Sequence, residues 1–247
     1  EVKIIRINDD ADPEPTPTPS PSASPSPSPE PADVETADDG SSVTVSVDIG
    51  AAVNSDGEAA EFKVESKDVK ALLDQAAEAA GPGKKTVLAF RIASDAPSVS
   101  VSIGKDDFRQ ISDSGADIRL DAGFGTAVFD AKAIAAISAA AAQGEVRFEI
   151  RKADPAELPR DVAEKAAGKP VYEFKVTAGD AQVAQFNGGY VRIALPYEPE
   201  AEEKPNAILV YYISGDGAAE AVRSTYDAET GTVKFRTPHF SKFAVAY

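Results

Sequence analysis

The sequence contains one histidine, His239, and a hydroxyl side chain follows it two residues later at Ser241. A hydroxyl becomes an effective nucleophile when a base lies beside it, and nowhere else in the chain does a nucleophile stand next to a plausible base. Sites that need several histidines or a thiolate are excluded, because there is no second histidine and no cysteine. Phosphate-binding and dinucleotide-binding loop motifs are also missing. We therefore expect no multiple-turnover enzyme, no cofactor and no metal site.

The triplet His239-Phe240-Ser241 resembles the His-Phe-Ser of autoproteolytic β-sandwiches in ankyrin-like and death-domain proteins. The His-Leu-Thr of adhesion-receptor GAIN domains is a related motif. The resemblance implies self-cleavage between Phe240 and Ser241, with Ser241 as the nucleophile and His239 as the base. The alternative is a structural turn that leads into the last strand, with Phe240 in the core. We expect this structural role.

Paired carboxylates occur at Asp106-Asp107 and at Glu202-Glu203. Both pairs lie in polar, turn-like stretches with no aromatic cleft nearby, and the sequence has no tryptophan to serve as a sugar platform. We therefore do not expect them to be the two carboxylates of a glycosidase.

Residues 1–7 (EVKIIRI) have the pattern of a β-strand that is apolar on both faces. Val2 and Ile4 point to one side of such a strand, and Ile5 and Ile7 to the other. A lone strand cannot fold by itself, so we predict that residues 1–10 form an extended donor-type strand that completes a sheet elsewhere. That sheet could belong to the same chain, to a domain that precedes residue 1, or to a neighbouring molecule.

Residues 11–40 are predicted to form a Pro/Ser/Thr-rich tether. Prolines alternate with other residues between positions 12 and 31, which excludes helix and sheet and favours an extended polyproline II conformation. Alternating proline and hydroxyl residues are typical of O-glycosylated stalks on exported proteins. The possible O-glycosylation sites are Thr16, Thr18, Ser20, Ser22, Ser24, Ser26 and Ser28.

The composition is strongly acidic, with 41 Asp and Glu against 25 Lys and Arg and a net charge of −16. This charge argues against a nucleic-acid partner and against an anionic membrane surface. No apolar run approaches the roughly 18 residues that would span a membrane. The absence of methionine leads us to expect that the chain does not begin at a translation start. Either an N-terminal segment such as a signal peptide has been removed, or the chain is a fragment.

The remaining chain predicts a β-rich α+β fold in two parts. Alternating apolar and polar residues at 42–49 predict a strand, and an apolar stripe at 67–80 predicts a helix. Strands and helices alternate to residue 154, whereas short strands separated by turn motifs such as Asn187-Gly188-Gly189 follow residue 170. We predict an α+β subdomain at 41–154, a connector at 155–169 and a β-sandwich subdomain at 170–247.

The body resembles a module of multimodular surface proteins from Gram-positive bacteria, found beside S-layer homology repeats or wall-associated glycoside hydrolases. The resemblance is carried by VRIALPY at 191–197, NAILVYYI at 206–213, YDAETGTVKF at 226–235 and HFSKFAV at 239–245. It implies an exported, non-enzymatic spacer or assembly module, and it supplies no ligand and no catalytic residue.

These observations lead to two expected functions. The first is a secreted, extracellular structural protein of the bacterial cell surface, which assembles with itself into a filament or S-layer-associated surface layer by donating its N-terminal strand. The alternative is a spacer or binding module of a larger surface protein, with cell-wall polysaccharide as its partner.

Overall fold

The computed structural model describes residues 34–52, 54–55, 57–141, 144–158, 160–166 and 168–247. The predicted donor strand, with Val2, Ile4, Ile5 and Ile7, lies outside the described residues, as do the possible glycosylation sites between Thr16 and Ser28. Residues Pro31–Tyr247 form one compact unit. It contains two large mixed β-sheets and four α-helices within its described part, so the predicted β-rich α+β class is confirmed.

The first sheet has eight strands. Its spatial order is β1 (Val34–Asp38), β2 (Ser42–Ile49), β5 (Lys85–Ile92), β7 (Asp117–Ala122), β8 (Gly125–Phe129), β12 (Val191–Pro196), β16 (Thr232–Thr237) and β15 (Ser224–Asp227). Strands β2, β5 and β7 are parallel to one another, and the remaining neighbours are antiparallel.

The second sheet has nine strands. Its main order is β14 (Ala219–Val222), β13 (Leu209–Ile213), β17 (Lys242–Ala246), β10 (Val171–Ala178), β9 (Val146–Ala153), β6 (Ser98–Ile103), β4 (Ala59–Val64) and β3 (Asn54–Ser55). The short strand β11 (Ala181–Gln182) pairs with β10 beside this path.

Four helices connect these strands, and none of the helices in the described ranges is long and apolar enough to cross a membrane. Helix α1 packs against β1, β2 and β5, while α2 packs against both α1 and α3. Buried residues of the first three helices, such as Leu72, Phe108 and Ile134, belong to the same core as the sheets. The helices are α1 (Ser66–Ala79), α2 (Lys105–Ser114), α3 (Ala131–Ala140) and α4 (Arg160–Ala166).

The two sheets share one core. The rings of Phe129 on the first sheet and Phe148 on the second lie 4.9 Å apart between centroids, and Phe235 and Phe243 make a second cross-sheet pair at the same distance. Both sheets also combine strands from either side of the predicted connector, because β8 pairs with β12 and β9 pairs with β10. The predicted division into an α+β subdomain and a separate sandwich therefore does not correspond to a division of the sheets.

The predicted tether is too long at its C-terminal end. Residues 34–38, which were assigned to it, form β1 and pair with β2 from Val34↔Val47 to Asp38↔Val43. The physical reason is a tight turn, in which Asp39 Oδ1 accepts hydrogen bonds from the backbone N of Ser41 and Ser42 and so closes the hairpin.

The two sides of the sandwich end differently. On one side β14 and β15 are consecutive in the chain and separated only by Arg223, so one segment forms the last strand of both sheets. On the other side the sheets end in the separate strands β1 and β3, and β3 pairs with β4 over only two residues. Within the described residues, β1 has β2 on one edge and no neighbouring strand on the other.

Candidate functional site

The structure places His239, Phe240 and Ser241 at the entry to β17. Phe240 is 6% exposed, and its ring packs edge-on against Phe129 and Phe186, with centroids 5.5 and 5.1 Å away. Its backbone N donates a hydrogen bond to Ala184 O at 3.0 Å. Phe240 therefore lies in the core, as expected.

The hydroxyl of Ser241 is engaged elsewhere than at the Phe240–Ser241 peptide. Its Oγ donates a hydrogen bond to Ile213 O at 2.6 Å, on the neighbouring strand β13. His239 lies against the ring of Tyr212 at 4.3 Å between centroids, and its Nδ1 is 3.5 Å from Thr237 Oγ1. The structure thus brings His239 to Thr237 and Tyr212, and in the part of the chain that it describes His239 and Ser241 share no side-chain hydrogen bond.

The edge strand β1 was not predicted from the sequence. The run Asp38-Asp39-Gly40-Ser41 could have indicated it, because Asp, Gly and Ser are turn-forming residues and strand β2 follows directly. Gly40 adopts φ +88°, a conformation that residues with a side chain rarely adopt. Asp38 Oδ1 accepts a hydrogen bond from Gly40 N at 2.8 Å.

Ion pairs connect β1 and β2 to the neighbouring part of the sheet. The guanidinium of Arg91 on β5 donates to Glu35 on β1 and to Asp48 on β2, with an Nε–Oδ1 distance of 2.6 Å to Asp48. Lys84 donates to Asp38 from the segment before β5. These contacts hold the edge strand in one register and leave its outer backbone groups free of neighbouring strands within the described residues.

The same contacts shift the pKa values of the turn carboxylates. Hydrogen bonds from Ser42 and then Ser41 hold the pKa of Asp39 well below its usual range. The hydrogen bond from Lys84, followed by that from Gly40 N, lowers the pKa of Asp38. Both side chains are therefore ionised at neutral pH, where they complete the turn.

Half-buried apolar side chains lie on the elements around this edge. Val34 on β1, and Leu73 and Ala79 on α1, pack against the core while remaining partly exposed. Helix α1 contacts β1 along this side of the sandwich. Among the described residues, β1 thus combines an edge without a neighbouring strand with partly exposed apolar side chains on β1 itself and on α1.

Among the described residues there is no group of three or more His, Asp or Glu side chains that could hold a metal ion. Of the paired carboxylates, Asp106 and Asp107 lie in the first turn of α2. Asp107 accepts a hydrogen bond from Ser66 Oγ at 2.7 Å. Glu203 accepts one from Tyr197 Oη at 2.7 Å and pairs with Lys169.

Comparison of the chain with protein-family models, with curated proteins and with solved structures gave no match.

Proposed function

We propose that this protein is a non-enzymatic structural module of the bacterial cell surface, secreted and self-assembling, in which residues 1–7 of one copy pair with a sheet edge of the next. The observation that carries the proposal is the edge strand β1, which has a strand on only one side within the described residues. A free edge presents a row of backbone donors and acceptors and acts as a template for another strand.

Strand β1 is the most suitable of the terminal strands. It has five residues, whereas β14 and β15 have four each and β3 has two. Each backbone hydrogen bond that an added strand makes contributes about 1 kcal/mol net. The apolar residues of the donor, Ile4 or Ile5 according to its orientation, would cover the half-buried surface of Val34 and Leu73.

Charge favours this pairing over contact between two β1 edges. The edge carries four carboxylates, Glu35, Asp38, Asp39 and Asp48, against the two cations that pair with three of them, Arg91 and Lys84. It therefore keeps a net negative charge, which disfavours pairing between two copies of β1. The pairing segment of the donor, residues 1–7, carries Lys3 and Arg6 against one acidic residue, Glu1. The charges therefore disfavour pairing of two β1 strands and favour pairing of β1 with the donor strand of another copy.

The tether gives the donor its reach. Twenty residues of polyproline II extend about 60 Å at 3.1 Å per residue, which is longer than a small domain is wide. Because β1 follows this segment directly, the tether would let the donor strand of each copy reach another copy, while the β1 edge of the same copy stays accessible to a different donor. O-glycans on the hydroxyl residues between Thr16 and Ser28 would stiffen the tether and hinder its cleavage by proteases.

Deletion of residues 1–7 tests the proposal. The shortened protein should remain a folded monomer, with unchanged thermal midpoint, and should form no filaments in electron microscopy or light scattering. A double substitution, Ile4→Asp with Ile5→Asp, should have the same effect because it places a charge on each face of the donor. The matched control Ile4→Val with Ile5→Val keeps both faces apolar and should assemble.

Assembly of the deleted protein at the rate of the full chain would contradict the proposal. So would a full chain that remains monomeric at all concentrations, because the strand would then pair within its own chain.

A further inference from the structure

The outer face of the first sheet carries a basic groove, which is unexpected in a chain of net charge −16. The groove has a volume of about 390 Å³ and runs over β8, β12 and β16. The residues that line it include four cations, Arg192, Arg223, Lys234 and Arg236, and no carboxylate, while most of the exposed wall of the groove is apolar. Strong local charge of one sign on a surface of the other sign indicates a place where an anion binds.

Two of the arginines stand in an arrangement that is unfavourable by itself. Arg192 and Arg236 are direct partners across the antiparallel β12–β16 ladder. Like charges directly opposite each other in a sheet are destabilising. The guanidinium of Arg236 lies over the ring of Tyr190, 3.8 Å from its centroid, and that of Arg192 lies 5.9 Å from the same ring. One tyrosine therefore orders both cations side by side.

Two buried carboxylates hold this cluster at the beginning of α3. They are Asp117 on β7 and Asp130, the residue before the helix, and they are 5% and 8% exposed. Asp130 caps the helix through Ala133 N at 2.8 Å, and the same oxygen accepts a hydrogen bond from Tyr190 N at 3.1 Å. Asp117 accepts from the backbone N of Ala131 and from Arg192, each at 3.1 Å. Tyr190 and Arg192 are thus tied to the beginning of the helix and not left free on the surface.

The loop before Tyr190 also helps to position the tyrosine ring. Gly188 has φ +87°, and Gly189 lies so close to α3 that a Cβ at this position would be 2.2 Å from Ala133 N. Only glycine allows this approach. The backbone geometry that places Tyr190 therefore depends on a residue without a side chain.

The positive charge of the groove is only partly neutralised. Arg192 pairs with Asp117, and Lys234 pairs with Asp227 at 2.6 Å. Across the ranges that the structure describes, no carboxylate lies within ion-pair distance of Arg223 or Arg236. Two exposed guanidinium groups thus remain available to an anionic ligand, and their planar forks suit carboxylate and phosphate groups.

We propose that this groove binds an anionic polysaccharide, a function separate from strand donation. Carboxylate or phosphate groups of the polymer would contact Arg192, Arg236 and Arg223. The carbon-bound hydrogens of the sugars would lie on the half-buried Val128 and Ala194 between them.

A polysaccharide fits the groove better than a peptide or a nucleic acid. Strands β12 and β16 are paired on both sides, so an extended peptide would find no free backbone groups there. DNA carries one charge about every 1.7 Å along its axis, and the acidic remainder of this protein would repel such a dense polyanion. A polysaccharide with one charge per repeat places its anions on the groove while the rest of the acidic surface is screened over about 8 Å at physiological ionic strength.

The test measures binding of the full chain to alginate, a polysaccharide with a carboxylate on every sugar, and to neutral dextran. We expect binding to alginate that weakens with added salt, and no binding to dextran. Arg192→Gln with Arg236→Gln should weaken the affinity at least about tenfold, which corresponds to one lost charge-assisted hydrogen bond.

The matched control is Arg109→Gln with Arg160→Gln, which removes two exposed helical arginines and should bind as the unchanged protein does. If the first variant fails to fold, Arg223→Gln serves in its place, because Arg223 is exposed between β14 and β15 and should weaken binding by about threefold or more at low salt. The proposal is overturned if alginate does not bind at low salt or if the groove variants bind as the control does. Equal or tighter binding of polyglutamate at the same groove would also overturn it, in favour of an acidic protein partner.

Discussion

At the residue scale, the hydroxyl of Ser241 shows how far a local motif determines chemistry. The sequence correctly placed Phe240 in the core, because an aromatic residue before an alternating strand predicts burial. It could not predict that Ser241 Oγ would donate to Ile213 O, since that contact joins residues 28 positions apart through the pairing of β13 and β17. A tripeptide contains no information about such a partner.

This geometry predicts that the Phe240–Ser241 bond stays intact. The hydroxyl is held on Ile213 O and His239 is held by Thr237 and Tyr212, so the two groups have no shared proton path. Denaturing mass spectrometry after prolonged incubation at neutral pH should give one intact mass, for the unchanged protein and for Ser241→Ala alike. Loss of the last seven residues in the unchanged protein alone would establish self-cleavage.

At the element scale, the β1–β2 hairpin depends on two ionised carboxylates. Its first strand was missed because Val34-Glu35-Thr36-Ala37-Asp38 lacks a clear apolar alternation, and β1 exists through its pairing with β2. The strongly periodic β2 was predicted with its observed bounds, Ser42–Ile49. An edge strand contributes few apolar contacts, so its own residues show little hydrophobic pattern. The feature of the sequence that best predicts β1 is the turn between β1 and β2.

The hairpin should weaken in acid. The folded pKa values of Asp38 and Asp39 are lower than the value of about 3.9 in an unfolded chain. Their stabilisation is therefore complete above about pH 4 and is lost as the pH falls through the folded pKa values. Asp39→Asn should lower the thermal midpoint at pH 7, and the difference from the unchanged protein should shrink towards pH 2.5.

Asp113→Asn is the control for this series, because Asp113 is an exposed helical carboxylate. It should leave the thermal midpoint nearly unchanged at every pH. A gap between Asp39→Asn and the unchanged protein that is as large at pH 2.5 as at pH 7 would show that the ionised carboxylate does not stabilise the turn.

At the scale of the whole molecule, the chain crosses repeatedly between its two sheets. The strand and helix patterns were sufficient to predict the β-rich α+β class. They could not predict that β12 pairs with β8, because pairs such as Val191↔Phe129 lie far apart in sequence and depend on the global topology. The Pro- and Ala-rich segment at 155–169 has the composition of a boundary, yet the strands on its two sides, β9 and β10, pair along their whole length.

One shared core predicts one unfolding transition. Far-ultraviolet and tyrosine near-ultraviolet circular dichroism should give coincident curves in denaturant. Phe148→Ala and Phe243→Ala lie on opposite sides of residues 155–169, and each should destabilise the whole protein by about 3–5 kcal/mol while keeping a single transition. Two separated transitions, with each substitution moving only one of them, would support independent subdomains instead.

The most direct test of strand donation is hydrogen–deuterium exchange on a chain that lacks residues 1–10, with and without the peptide EVKIIRI. Pairing at the free edge predicts slower exchange at Val34–Asp38 when the peptide is present, with little change at β14 and β15. A scrambled peptide of the same composition should protect nothing. Unchanged exchange at Val34–Asp38 would contradict the assignment of β1 as the acceptor edge, whether the peptide protects another part of the protein or protects nothing.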